Sequence, residues 1–293
     1  MINLAPWFYK NLINENEIIS SIVSSKCQIF NIGEQFEALA ELSKKLKPTW
    51  IPESNIYSNC DGSGTSKFSN VAIHKAISEA LERWAFYETI DTKSSMFLFD
   101  ENPSTTGMAA FPGITHGQAR KNAIFEASER WALHEFWRGN LPILEHSSAI
   151  ANLSHYEIVT DLKDVKISLL CLRKENQFLY SFAADSSLAE SLKHSLVELS
   201  RNVRVMGKYQ DTNVSYKDFT DITDRRLFFF STLEGNQLFN EKILSAPSCL
   251  KVKPNLICDL EVRGPWTKYA KVWRYLYANS CPSDESDHTF FMF

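Results

Sequence analysis

Two stretches of this chain are near copies of one another, and that repetition constrains the fold more than any other feature. NVAIHKAISEALERWAFYE, from Asn70, aligns without a gap on GQARKNAIFEASERWALHE, from Gly117, with ten of nineteen positions identical at a constant offset of 47. Glu79 falls on Glu126, Glu82 on Glu129, Arg83 on Arg130 and Trp84 on Trp131. In the first copy Ile73, Ile77, Ala80, Leu81 and Trp84 recur at helical spacing, which predicts helices over about 70–89 and 116–136, the second broken near Gly139 and Pro142. A fainter third copy, SLAESLKHSLVELSRN, predicts a helix over about 187–202; it sets Glu198 on Glu79 and puts Arg201 where a second glutamate would stand.

Glutamates three apart share a helix face, with roughly 5–6 Å between Cβ atoms, and repel unless positive charge lies near. A plain explanation exists: Glu79 with Arg83 and Glu126 with Arg130 are favourable i,i+4 pairs, and a single E-x-x-E-R string on a solvated helix carries no further meaning. Two near copies and a partial third, each with alanines that allow close packing, favour a different reading. Several such helices together would supply a group of carboxylates, and hard oxygen donors of that kind suit Mg²⁺ carrying nucleotide phosphates. The two tryptophans follow the arginines on the apolar stripe and read as core.

Around these helices the sequence predicts a mixed α/β chain. Asn11 to Lys47 reads as helical and ends at Pro48 and Pro52; Ile56 to Ser66, rich in Ser, Asn and Gly, reads as a loop. VKISLLCL and FLYSF bracket the polar turn RKENQ, a strand-turn-strand signal between Glu157 and Phe182. LFFFSTL, NLICDLEV and KVWRYLY read as further strands. The expected division is a helical segment over 1–55 and one continuous domain over 56–293.

Composition narrows the function classes. Hydrophobic residues make up 44 % of 293, enough for a sizeable core, and the net charge of −4 provides no global field to draw the chain onto nucleic acid or anionic lipid. The six cysteines form no CxxC pair and have no zinc-finger partners. No leader-like start and no apolar run near the ~20 residues that cross a bilayer occur, so the expected location is cytoplasmic, with reduced thiols and no membrane partner. The seven histidines include no HExxH; His74 near Glu79 and His134 beside Glu135 have ordinary surface explanations, and Cys60 reads as a small buried residue before a nucleophile.

The string SGTSKFSNVAIHKAISEALERWAF resembles the first motif of the YcaO family, a Ser/Gly turn leading into a small-residue helix that ends in E-x-x-E-R. TTGMAAFPGITHGQARKNAIFEASERWAL resembles the second motif, SFAADSSLAESLKHSLVELSRN is similar to the third, and CDLEVRGPWTKYAKVWRYLYANSCP looks like the late segment, together covering about 56–293 in the family's order. The resemblance implies a YcaO-like fold of repeated strand-helix units that place glutamate-bearing helices around a nucleotide. It implies ATP and Mg²⁺ as cofactors, with Glu79, Glu82, Glu126, Glu129 and Glu198 nearest the metals and Asn122, four before Glu126, on the nucleotide. No residue is singled out as catalytic, since the carboxylates' work is to place Mg²⁺ beside the transferring phosphoryl group.

The implied reaction is phosphorylation of a backbone amide oxygen in a ribosomally made precursor peptide, after a nucleophile has added to the amide carbon. Azoline, thioamide or amidine follows, according to the attacking atom. The sequence departs from the family pattern in two places: Thr65 stands where many members have a lysine, with Lys67 as the substitute, and Arg201 replaces a glutamine while keeping the reach to a phosphate. The last eleven residues lack the proline-alternating tail common to azoline formers. A leader-recognising partner, ThiF-like or similar, is expected because nothing in residues 1–55 looks like a leader-binding domain, and a homo-oligomer stays open. The competing reading is a catalytically silent YcaO-like subunit that binds a partner or peptide.

Overall fold

The structure, a computed structural model, describes residues 28–32, 35–42, 61–112, 116–174, 177–209, 214–280 and 287–291. Their contacts group the chain into two compact units: Met1–Glu53, Ser58–Ile124 and Cys258–Leu276 in the first, Ser54–Tyr57, Phe125–Ile257 and Tyr277–Phe293 in the second.

In the first unit β1 (Gln28–Ile32), β2 (Gln35–Ala40) and β3 (Gly62–Ser66) form an antiparallel sheet in the order β1-β2-β3. The first repeated helix, α1 (Ser69–Ile90), packs on β3, β2 and β4 (Met108–Pro112), with the short α2 (Ser94–Phe97) following it. β4 pairs antiparallel with β10 (Ala270–Tyr277), which also takes β9 (Leu256–Glu261) on its other side. Ala72, Ala76, Ile77, Ala80, Leu81 and Trp84 of α1 are buried with Ala38, Ala40, Val262, Trp266 and Val272. The Trp84 ring meets Trp266 edge-on at 5.9 Å, as the core reading requires.

Two segments differ from the sequence expectation here. β1 and β2 occupy part of the stretch read as helical, of which residues 11–27, 33–34 and 43–47, like Cys60, lie outside the described residues. β3 occupies the end of the stretch read as a loop, of which residues 56–60 lie outside the described residues. Its glycines serve close packing: a Cβ on Gly62 would stand 2.1 Å from the carbonyl oxygen of Ala76, and one on Gly64 2.3 Å from that of Ala72. A glycine-rich strand laid directly on an alanine-rich helix needs both partners bare at the contact.

The second repeated helix, α3 (His116–Trp137), starts where the repeat predicts, and the division between the units falls within it after Ile124. Its stop is Gly139, at φ +76°. The second unit is built on a four-stranded antiparallel sheet in the order β5 (Ile143–His146), β6 (Leu153–Ile158), β7 (Lys166–Lys174), β8 (Gln177–Asp185). The β7–β8 hairpin is the expected strand-turn-strand, whereas β5 and β6 left no clear pattern. The third glutamate helix, α4 (Leu188–Gly207), starts at a Ser187 cap and packs on β8 and β7.

LFFFSTL is not a strand. Leu227–Phe230 end α5 (Ile222–Phe230), and Ser231 and Thr232 lead into α6 (Leu233–Leu244). Leu227, Phe228, Phe229 and Phe230 are all buried, so the run is apolar on every side and periodicity carries no signal. Phe291 is fully buried beside them, stacked on Trp137 at 5.3 Å and edge-on to Phe230 at 4.8 Å. Among the described residues no helix is long and apolar enough to cross a membrane.

Candidate functional site

In the first unit the glycine strand holds Glu79. The backbone N–H of Ser63 donates to Glu79 Oε2 at 2.7 Å and the Ser63 hydroxyl donates to the same oxygen at 3.0 Å, while Arg83 Nη2 lies 2.8 Å from Oε1. The i,i+4 pair of the plain reading is thus present, but the serine contacts add a second role, tying the first E-x-x-E-R glutamate to the turn that precedes its helix. Glu82, one turn on, is half-buried and makes interactions of its own.

Thr65, at the position of the family's lysine, is buried and its hydroxyl has no hydrogen-bond partner. Lys67 is exposed, and the ammonium that reaches this strand is that of Lys75, which donates to the Thr65 carbonyl at 3.1 Å. Lys75 was not among the residues the sequence singled out; its position six residues after the start of α1 carried no motif signal. On α3, Gln118 donates to Asn122 Oδ1 at 2.9 Å, and Arg120 forms a two-point pair with Asp259, whose Oδ1 also accepts from Trp273.

In the second unit the repeated helix presents Glu129. Its Oε2 accepts a hydrogen bond from the backbone N–H of Ala184 at 3.1 Å, and Arg130 Nε lies 3.8 Å from Oε1. Burial pushes the Glu129 carboxyl up to about 7, a rise opposed by Arg130 and the Ala184 hydrogen bond and reinforced by the charge of Glu198. Arg130 Nε is buried without a hydrogen bond, and its guanidinium lies over the Phe182 ring at 5.5 Å. Glu126 is half-buried and engaged. On α4, Arg201 Nη1 bridges both oxygens of Glu198, at 3.1 and 2.9 Å.

Beside Ala184 the sheet ends in Asp185, which is 1 % exposed; its Oδ1 accepts from the Ser186 N–H at 2.6 Å and hydroxyl at 2.9 Å, and His194 Nδ1 stands 3.2 Å from Oδ2. Asp185 lies in the acidic turn of the third motif, yet its pairing with a histidine nine residues on, across a strand end and a helix, left no periodic trace. The histidines assigned to the surface belong to the interior instead. His74 and His134 are buried, as is Glu135, and burial with Lys75 alongside pulls His74 down to about 4, leaving it neutral.

The donor set fits a divalent cation. A buried carboxyl with a raised pKa beside a second carboxylate is a group that gains from nearby positive charge, and all the oxygens concerned are hard. Among the described residues no three His, Cys, Asp or Glu side chains are grouped to hold a metal unaided. Mg²⁺ on a nucleotide ordinarily takes one or two carboxylates and completes its shell with phosphate oxygens and water.

These strand-helix units define a mixed α/β protein of the YcaO fold. The structure of YcaO from Methanopyrus kandleri bound with AMPPCP and Mg²⁺ matches with a TM-score of 0.55 and 12 % identity, covering 94 % of this chain and 91 % of that one. The E. coli microcin synthetase McbBCD complex matches at 0.53 with 13 % identity, covering 88 % and 86 %; the same complex with pro-MccB17 bound matches at 0.53 with 12 % identity, covering 88 % and 87 %. Compared by sequence, the chain matches no protein-family model and no curated protein.

Proposed function

We propose that this protein is an ATP-dependent, YcaO-type enzyme that activates a backbone amide of a ribosomally made precursor peptide by phosphorylating its oxygen. The observation that carries the reading is Glu129: a buried carboxyl on a repeated E-x-x-E-R helix, pushed up to about 7 and facing the charge of Glu198. Burial is the main cause of the rise and the charge of Glu198 adds to it, and a cation bound beside Glu129 would offset both. Mg²⁺ supplies neutralisation of the charge that develops on the transferring phosphoryl group. Glu79, Glu82, Glu126, Glu129 and Glu198 are the carboxylates proposed nearest the Mg²⁺ ions, with phosphate oxygens and water completing each shell and Asn122, Lys67 and Arg201 on the nucleotide.

The chain's own residues hold and orient. Ser63 fixes Glu79 from two donors, and Ala184 fixes Glu129, so neither carboxylate must be ordered when the ligand arrives. Azoline, thioamide and amidine are the product classes of this chemistry. The bound AMPPCP and Mg²⁺ of one structural neighbour, and the complex with pro-MccB17 of another, support ATP, Mg²⁺, a peptide substrate and a partner protein here. Calorimetric titration with Mg-ATP tests the site: binding requires Mg²⁺ and weakens at least about tenfold in Glu82→Gln and Glu129→Gln, the loss of one charge-assisted contact. Equal affinity in all three proteins removes the assignment.

One observation favours the second reading, a silent YcaO-like subunit that binds a partner or peptide without turnover. Arg201 already occupies both oxygens of Glu198, so an internal cation stands where an ion would bind.

A further inference from the structure

We propose that His146 and His155, in the second unit, form a two-imidazole site for a divalent transition ion of the nickel, copper and zinc class. The two residues stand directly opposite each other on β5 and β6, with ring centroids 5.1 Å apart and planes tilted by 30°. An ion bound about 2.0–2.1 Å from one nitrogen of each ring places the centroids roughly 4.5–5.2 Å apart, for square to tetrahedral ligand angles. The strand register supplies that spacing. Imidazole suits nickel, copper and zinc, whereas Mg²⁺ takes oxygen donors, so this site differs in chemistry from the glutamate helices.

Hydrogen bonds fix which nitrogen each ring keeps for the ion. Nε2 of His146 lies 3.2 Å from Glu157 Oε2, and a carboxylate only accepts, so this nitrogen carries the proton. Lys166 donates to the other oxygen of Glu157 at 2.8 Å and holds that carboxylate in place. For His155 the same conclusion follows through a chain of hydroxyls. Ser191 Oγ donates to the Leu188 carbonyl at 3.0 Å and therefore accepts from Ser168 Oγ at 2.8 Å; Ser168, its one proton spent, accepts from His155 Nε2 at 3.2 Å. Both rings are thus Nε2–H tautomers with the lone pair on Nδ1. Among the described residues neither Nδ1 has a hydrogen-bond partner, and neither is among the buried polar atoms that lack one, so both reach solvent. Burial, and after it the nearby His146, lowers the pKa of His155, which keeps that ring in the neutral form an ion requires.

Packing of two rings across a strand pair is the rival explanation. It accounts for the ring contact, but not for two imidazoles that each spend Nε2 on an acceptor and keep the same basic nitrogen toward water. Metal-bound histidines ordinarily have their other N–H held in this way, which orients the ring and raises its basicity. β5 is the edge strand of its sheet, so an ion shared by the two rings ties that edge to β6, with water completing its shell.

The test uses the full chain and Ni²⁺, which thiols such as the exposed Cys249 do not reduce. Nitrogen-15 NMR of the wild type, with each imidazole assigned through its own backbone, should show Nε2–H at His146 and His155 at pH 7.5. Substoichiometric Ni²⁺ should broaden these two signals before those of His116, His194 and His288. Calorimetry should give a wild-type Kd at least about tenfold below those of His146→Gln and His155→Gln, and Glu157→Gln, which loses the carboxylate that orients His146, should also weaken binding about tenfold or more. Excess Mg²⁺ should not displace the Ni²⁺. An Nδ1–H tautomer at either ring, earlier broadening at another histidine, equal affinity in the wild type and both single-histidine variants, or displacement by Mg²⁺ overturns the site. The tautomers and the order of broadening are read on the wild type, so they decide even where a variant fails to fold, and none of these readings depends on nucleotide binding.

Discussion

The backbone N–H of Ala184 and the carboxylate of Glu129 meet at 3.1 Å, a single hydrogen bond set against burial that raises the glutamate's pKa to about 7. Between the ordinary value of 4.5 and about 7 the folded protein keeps a proton that the unfolded chain has lost, so this group's contribution to stability is complete below 4.5 and falls as pH rises to 7. With 16 % of the side chain still accessible, the loss is about 2 kcal/mol. Glu129→Gln should therefore match the wild type near pH 4.5 and exceed it by about that amount at pH 7.5 in urea unfolding of the ligand-free protein. A wild type that stays the more stable at pH 7.5 would show that Glu129 is a structural ion pair.

Gly62 and Gly64 lie against the carbonyl oxygens of Ala76 and Ala72 at distances no Cβ tolerates, 2.1 and 2.3 Å. The atoms they would strike are helix backbone, which cannot swing aside. Gly62→Ala and Gly64→Ala should each cost about 1–3 kcal/mol by overpacking. Because Ser63 sits between them and donates twice to Glu79, the same variants should weaken Mg-ATP binding. Unchanged unfolding midpoints would mean that β3 does not lie on α1 as described.

Arg274 is fully buried and donates to the carbonyls of Phe97, Asn102, Ser104 and Thr106, with its guanidinium 4.5 Å from the Phe99 ring centroid. It pins the segment between α2 and β4 onto the sheet. A lysine keeps the charge but replaces a planar fork by one head, leaving several carbonyls without donors. Arg274→Lys should cost about 3 kcal/mol or more in urea unfolding, since each buried acceptor stranded costs about 1–3. A loss below about 1 kcal/mol would contradict this.

The glutamate helices were legible because repetition compares the chain with itself: the first, expected over 70–89, spans Ser69–Ile90, and the second, expected over 116–136, spans His116–Trp137. β9 and β10 were legible as short apolar runs between polar turns. The phenylalanine run of α5 was not, since a segment buried on all sides shows neither a helical nor a strand period. β3 was read as a loop because glycine usually signals a turn, and here it signals contact with alanines that sequence alone does not pair with it. At the candidate site, E-x-x-E-R announced the carboxylates. Arg201 across Glu198 is an i,i+3 pair within α4, but Ser63 on Glu79 and Ala184 on Glu129 depend on strands meeting helices. The Asp185–His194 pair depends on the same kind of meeting.

Arg201 separates the two functional readings. Its Nη1 spans both oxygens of Glu198 and its side chain is 19 % exposed while that of Glu198 is 46 % exposed, so the pair faces solvent on the carboxylate side and exchanges partners at modest cost. In an enzyme the guanidinium turns from Glu198 to a phosphate as Mg²⁺ arrives, trading one carboxylate for one stronger anion. Arg201→Gln then loses a nucleotide contact, and Mg-ATP affinity should fall about tenfold. Affinity for Mg²⁺ alone should hold or rise, since a competing cation has been removed from Glu198. In a silent subunit the arginine is a permanent plug, and the same substitution would open the carboxylate and tighten both ligands. Calorimetry of wild type and Arg201→Gln with Mg²⁺ and with Mg-ATP distinguishes the two by the sign of the nucleotide effect, and tighter Mg-ATP binding in the variant would decide against the enzyme.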